Sequence, residues 1–116
     1  MLKNFFLVGM GGAIGSILRF GCGMLIQIKN FPLATLLVNI FGCLVIGILM
    51  GLSVKNEYRL LLATGLCGGF TTFSAFAFDN LQLIHQQKYL LAIAYTGGNL
   101  ILGMIAVWIG FKLMNV

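Results

Sequence analysis

Acidic side chains are nearly missing from this chain: Glu57 and Asp79 are the only two among 116 residues. With His85 the single histidine and no carboxylate pair, hydrolytic acid–base chemistry has no parts, and the chain reads as no enzyme. Charge of either sign is scarce, at 8% against roughly 25% in soluble domains, so too little polar surface exists to meet water. Cys22, Cys43 and Cys67 are odd in number and form no CxxC, which speaks against zinc ligation and a disulfide framework. They read instead as small packing residues. The run from Gly9 to Gly15 misses the last glycine of GxGxxG, and no GK[ST] follows any glycine run, so no nucleotide loop is present. Net charge is +5, yet Lys3, Lys29, Lys55, Arg59, Lys88 and Lys112 stand singly, with no basic patch interleaved with aromatics. Nucleic acid is therefore no partner. Lipid headgroups are, because lone cations at helix ends suit them.

What is present is apolar length. Residues 30–54, 60–78 and 89–111 carry no charge, and 60% of the chain is hydrophobic. A spanning helix needs about 20 mostly apolar residues to cross a hydrocarbon core of roughly 30 Å. The first apolar run continues from Phe5 to Ile28, interrupted only by Arg19, too long for the core of a cleavable signal. The sequence predicts one all-α, four-helix transmembrane domain over 1–116, with helices at about 5–28, 33–53, 60–84 and 90–111. The turns fall at Lys29–Pro32, Lys55–Arg59 and His85–Tyr89, with Pro32 suited to opening the second helix. None of these turns is large enough for a site, so function belongs inside the membrane.

Four-residue steps mark one face of each helix. Gly11, Gly15, Arg19 and Gly23 form such a stripe on the first helix, and Thr35, Asn39, Cys43, Gly47 and Gly51 on the second. Tyr95, Asn99 and Gly103 form a third on the last helix. Small and polar residues let membrane helices approach closely and bond to one another. The third helix differs. Gly65-Leu66-Cys67-Gly68-Gly69-Phe70-Thr71-Thr72 is poor helix, and a break is expected there. Broken backbone at membrane depth survives where protein or an ion satisfies it: carbonyls suit a hard cation such as Na⁺, helix-start amides an anion. The alternative is a kink at close packing.

Arg19, an arginine inside a span, is a functional candidate by default, the alternative being a side chain that snorkels to the interface. With no acid near mid-membrane to pair with it, an anion pathway suits it better than a cation pathway. Asn39 and Asn99 can donate to an anion or simply hold helices together. Phe70, Phe73 and Phe76 recur at three-residue steps after the break, predicting one aromatic ladder beside Thr71, Thr72 and Ser74. Rings present a positive edge, which can coordinate a small hard anion without the full charge that would trap it. Ordinary packing is the competing reading.

Three segments together resemble the Fluc (CrcB) fluoride channels, nearly along the whole chain. They are Gly11-Gly12-Ala13-Ile14-Gly15-Ser16-Ile17-Leu18-Arg19-Phe20, then Phe31 to Asn39 with Gly42, and then Gly65 to Phe76 with its GGxTTFSxF core. The resemblance implies a passive fluoride exporter in the cell inner (plasma) membrane: a dual-topology, antiparallel homodimer with two pores. It implies Phe73 and Phe76 as the pore rings, Asn39 as the pore amide, and Arg19 at the vestibule. It further implies Gly68 and Thr71 as carbonyl ligands of a central, structural, untransported Na⁺. Thr72 and Ser74 beside the rings, and Tyr95 and Asn99 on the family's polar track in the last helix, complete the pore that the resemblance implies. Asn99 and Gly103 depart from that track's usual hydroxyls, and Asp79 stands where glutamate is expected.

Charge placement agrees with insertion both ways. One side holds Lys3, Lys55, Arg59 and Lys112 against Glu57, and the other holds Lys29 and Lys88, a weak positive-inside bias. Four helices of this size cannot enclose a wet path alone, so an oligomer is expected. Two other functions are open to a small four-helix membrane protein. A multidrug or guanidinium exporter needs an intramembrane acid, typically in the first helix, where this chain has Arg19. A non-transporting assembly protein would leave the broken helix and its rings without a role.

Overall fold

The computed structural model describes residues 1–26 and 31–114. The described residues are helical apart from short connections, and four spans are long and apolar enough to cross a membrane. α1 is Leu2–Leu25 and α2 is Leu33–Leu52. The third span, Asn56–His85, consists of α3 (56–70) and α4 (Phe73–His85) on either side of a break. α5 is Tyr89–Met114. Two stretches widen into π-helix: Arg59–Cys67 within α3 and Gly98–Leu102 within α5. Four spanning helices in one chain make a multi-pass membrane protein.

The expected ends shift by a few residues. The predicted end of the first helix at 28 and the Lys29–Asn30 part of the first turn lie outside the described residues. Pro32 sits one position before the first helical residue of α2 instead of inside it. The second turn is shorter than expected: Ser53 takes a left-handed conformation (φ 54°) at the end of α2, and helix resumes at Asn56. The polarity of Asn56–Arg59 had suggested loop, but Lys55 caps a helix there, and Lys3 Nζ bonds Glu57 Oε1 at 3.0 Å. That bond places the starts of α1 and α3 on one side, as the charge count requires. The third turn falls where expected, closed by Gln87 with φ 60°.

Packing is inverted relative to a soluble domain. Large apolar side chains such as Phe5, Phe6, Ile17, Phe20, Leu90 and Trp108 face outward, where lipid meets them. The buried positions are mostly slim: Val38, Ala63, Cys67, Ala92 and Ala106 among them, with Tyr95 the large side chain fully buried. The glycine stripes explain this. At Gly15 any Cβ would overlap the backbone of Leu66, so α1 lies directly on α3. At Gly47 it would overlap the Val107 carbonyl, so α2 lies directly on α5. Backbone-to-backbone approach of this kind supplies the van der Waals contact that must stand in for a hydrophobic drive inside lipid. Gly23 departs from the predicted stripe: open space surrounds it.

The break is narrower than its sequence suggests. Gly65, Gly68 and Gly69 stay helical, because Gly65 and Gly69 lie flush against α1 and need their missing Cβ for packing. Only Thr71 (φ −87°, ψ 154°) and Thr72 (φ −151°, ψ 128°) are extended. They sit halfway along the third span.

Candidate functional site

Two consecutive extended residues strip the helix of its regular pairing, and side chains from α1, α2 and the break itself take over. The Thr72 amide, which a continuous helix would give to Gly68, instead donates to Asn39 Oδ1 at 3.1 Å. The Gly68 carbonyl thereby loses its helical partner while Gly68 itself remains helical (φ −62°, ψ −38°). One residue on, the Gly69 carbonyl accepts from Arg19 Nε at 3.2 Å. Thr71 turns its hydroxyl back to the Cys67 carbonyl at 2.9 Å, and its methyl fills the space left by Gly42. Thr72 Oγ1 caps α4 by accepting from the Ala75 amide at 3.3 Å, and it shares a 3.0 Å bond with Ser74 Oγ. A threonine is favoured at such a cap because its side-chain oxygen satisfies an otherwise orphan helix amide.

Around this break lies a cavity of about 230 Å³, lined by Asn39, Cys43, Thr71, Thr72, Phe73, Phe76, Asn99 and Leu100. Six of those eight were singled out from sequence, and they come from α2, α4, α5 and the break itself. Asn39 Nδ2 donates to Asn99 Oδ1 at 3.0 Å, and Asn99 Nδ2 donates to the Tyr95 carbonyl at 3.0 Å. The rings of Phe73 and Phe76 lie 5.6 Å apart at 48°. The start of α4 faces the same region, so its partial positive charge adds to the amide donors.

The aromatic ladder is not the one the spacing predicts. Phe70 lies on the far side of the break, which rotates it away to pack edge-on against Phe41, centroids 6.2 Å apart. The row instead runs Phe73, Phe76, Tyr95 and Phe31, crossing from α4 to α5 at 5.5 Å and on to Phe31 at 5.6 Å. Tyr95 therefore stands behind Phe76, outside the cavity wall, and its hydroxyl donates to Asp79 Oδ2 at 2.8 Å. A parallel bond joins Thr96 Oγ1 to Asn80 Oδ1 at 3.2 Å. Neither Asp79 nor Asn80 was given a role from sequence. The signal for Asp79 was its isolation as the one acid outside the turns that the sequence predicts.

Arg19 belongs to a second cleft, of about 370 Å³, with Phe20, Gly23, Met24, Ala34, Thr35, Val38, Thr72 and Ala75. Thr72 lines both spaces, so the break is the partition between them. Cys43 was read as packing alone. It lines the cavity with its sulfur opposite Gly103, where an added Cβ would come to 3.4 Å. Its place on the Thr35–Asn39–Cys43 stripe was the available hint.

Among the described residues no cluster of three or more histidine, cysteine, aspartate or glutamate side chains could hold a metal, which leaves neutral oxygens of the backbone and of amide and hydroxyl side chains as donors. The Gly68 carbonyl, freed by the diversion of Thr72, and the Thr71 carbonyl, outside the helix, are such oxygens. Neutral carbonyls are the donor type hard cations take.

Comparison with known proteins matches the sequence of this chain to named relatives. A fluoride-specific ion channel FluC of Azobacteroides pseudotrichonymphae genomovar. CFP2 is 46% identical, covering 97% of both chains. One from Methylobacillus flagellatus is 44% identical over 95% of this chain and 93% of its own. The fluoride-specific ion channel FluC 1 of Listeria monocytogenes serotype 4b is 39% identical over 97% of this chain and 98% of its own. The family described as CrcB-like protein, Camphor Resistance (CrcB), matches over residues 6–111, and with near full-length relatives at this identity the chain belongs to it.

Proposed function

We propose that this chain forms a fluoride-selective channel that lowers cytoplasmic fluoride by passive export, working as an antiparallel homodimer with a structural Na⁺ between its subunits. The observation that carries the reading is the gathering of Phe73, Phe76 and Asn39 around one cavity at the only extended residues of the third span. The relatives' names supply the ion. Fluoride is small and strongly hydrated, so a pathway must replace water with several modest donors. Ring edges, amide N–H groups and a helix start do so without a bare cation that would hold the ion fast.

The need for a partner rests on exposure. Phe73 is 78% exposed in the single chain, although its neighbour Phe76 is largely covered. A second, inverted copy would enclose that ring and close the cavity's open side. It would also bring a second Gly68 and Thr71 pair to the break, giving four carbonyl oxygens for one Na⁺. Such an ion would fix backbone at the break and would not be carried across.

Direction follows from energetics. HF crosses membranes as a neutral acid and ionises inside, while a negative interior drives the anion out at about 2.3 kcal/mol per 100 mV. A cation exporter is poorly served here, since Asp79 lies on α4 bonded to Tyr95 and α1 carries Arg19.

Purified protein in liposomes loaded with potassium fluoride tests the reading. Fast fluoride efflux with no chloride efflux is expected, and a sealed vesicle would overturn it. Exchange of Na⁺ for a large organic cation during purification should lower the flux, and undiminished flux after verified Na⁺ removal would remove the ion from the proposal. For the dimer, His85→Lys with Gln86→Lys should bias every copy to one orientation and abolish activity. Reporter signal from a single side of the membrane in the unaltered protein would count against dual topology.

A further inference from the structure

The two asparagines at the cavity form a chain whose direction is dictated at both ends by backbone. At one end is the Thr72 amide, a donor only, released by the break and pointing to Asn39. It requires the oxygen of Asn39, because the reversed amide would set N–H against N–H. Asn39 must then turn its nitrogen toward Asn99, which has to present oxygen. At the other end the Tyr95 carbonyl, an acceptor only, requires the nitrogen of Asn99 and so leaves that oxygen facing Asn39. Both ends demand the same order, and each amide plane has one stable orientation.

A consequence for the cavity follows. Both side-chain carbonyls are occupied, Asn39 Oδ1 by the Thr72 amide and Asn99 Oδ1 by Asn39. Each NH₂ carries two hydrogens and uses one in the chain. The Asn39 amide, which lines the cavity, therefore brings to it a spare N–H and an oxygen that the Thr72 amide already engages.

We infer that Asn99 is a positioning residue that locks the polarity of the Asn39 amide, and through it the anion preference of the cavity. The inference rests on the fluoride reading above and adds a role for a residue on the opposite helix. It assigns to Asn99 the duty of accepting, where bulk and shape are secondary. Loss of that acceptor leaves the Thr72 amide as the single restraint on the Asn39 plane, so the Asn39 N–H groups lose their fixed direction toward the cavity.

A pair of nearly isosteric variants separates acceptance from shape. Asn99→Thr keeps an oxygen that can accept from Asn39, whereas Asn99→Val replaces it with a methyl group. Flux of fluoride from liposomes should stay within about threefold of the parent for the threonine variant and fall at least about tenfold for the valine variant. The fluoride-over-chloride ratio should fall for valine alone. Side-chain ¹⁵N–¹H signals of ¹⁵N-asparagine-labelled protein give a readout that packing alone would not move. In the parent and in Asn99→Thr, the Asn39 signal should shift with added fluoride and not with chloride, and in Asn99→Val that response should vanish. Equal flux, selectivity and Asn39 response in the two variants would overturn the inference. Should neither variant assemble, an Asn39 signal in the parent that ignores fluoride would overturn it equally. A parent that passes no fluoride would instead sink the channel reading itself, so the two failures are distinguishable.

Discussion

The third span is two half-helices built to different rules. Before the break, glycine dominates: Gly65 and Gly69 lie so close to α1 that a Cβ on either would meet its backbone within 3 Å. After the break, phenylalanine dominates, and Phe73 and Phe78 project from the single chain largely uncovered. One half spends its sequence on holding the chain together. The other half spends it on a surface that the chain alone does not use. Membrane proteins have no solvent-driven core to satisfy first, so this division is visible in neighbouring residues.

The largest expected effect breaks the first half. Gly15→Leu forces a side chain into the Leu66 backbone and should prevent a monodisperse protein by size-exclusion chromatography; Gly47→Leu should do the same at Val107. Next come the rings. Phe73→Ile or Phe76→Ile should purify as the parent does and pass fluoride at least about tenfold more slowly, because the quadrupole is lost while apolar contact persists. Parent-like flux in both variants would reduce the rings to packing. Asn39→Asp should also abolish flux in the same assay, by a different route, since it sets an anion in the path and keeps the acceptor for Thr72. Thr72→Val removes the cap of α4 and should cost about 1 kcal/mol of stability, read as a lower thermal unfolding midpoint in detergent. The smallest effect is expected at Leu44, which lies off the polar cavity in an apolar groove with Phe41 and Phe70. Leu44→Ala should leave flux within about twofold.

The spans, the turn at 85–89 and the close-packing glycines Gly11, Gly15, Gly47 and Gly51 were legible because each rests on a short-range pattern: hydropathy over twenty residues, or a four-residue step; that α1 would set its glycines against α3 was not. Asn39, Thr72, Phe73, Phe76 and Asn99, which line one cavity, were legible as candidates because polar or aromatic residues stand out against so apolar a background. Phe70 was misplaced in the ladder because spacing along a helix holds only while the helix is unbroken, and two extended residues cancel it. Gly68 and Gly69 were expected to break the helix, since propensity measured in water ignores a neighbouring helix that rewards a missing Cβ. Asp79 with Tyr95 and Cys43 with Gly103 are pairings between helices, which no single-helix pattern encodes.

The widened turns at Arg59–Cys67 and Gly98–Leu102 carry a further consequence, for how this protein can change over generations. A π-helical turn accommodates a residue more than an α-helical one, and each α-helical residue advances about 100° around the axis. Loss of a single codon within Gly98–Leu102 would let the turn relax to α-helix with little net rotation of what lies beyond it, because the wider turn had absorbed the extra residue; the same loss in regular helix would swing everything beyond it by roughly that angle. Gly103, Val107 and Gly110 would keep the face that meets α2 after a deletion in the wide turn and would lose it after one in the regular helix that follows. The length of α5 can therefore change by one residue at Gly98–Leu102, while it is held fixed elsewhere along the face that meets α2.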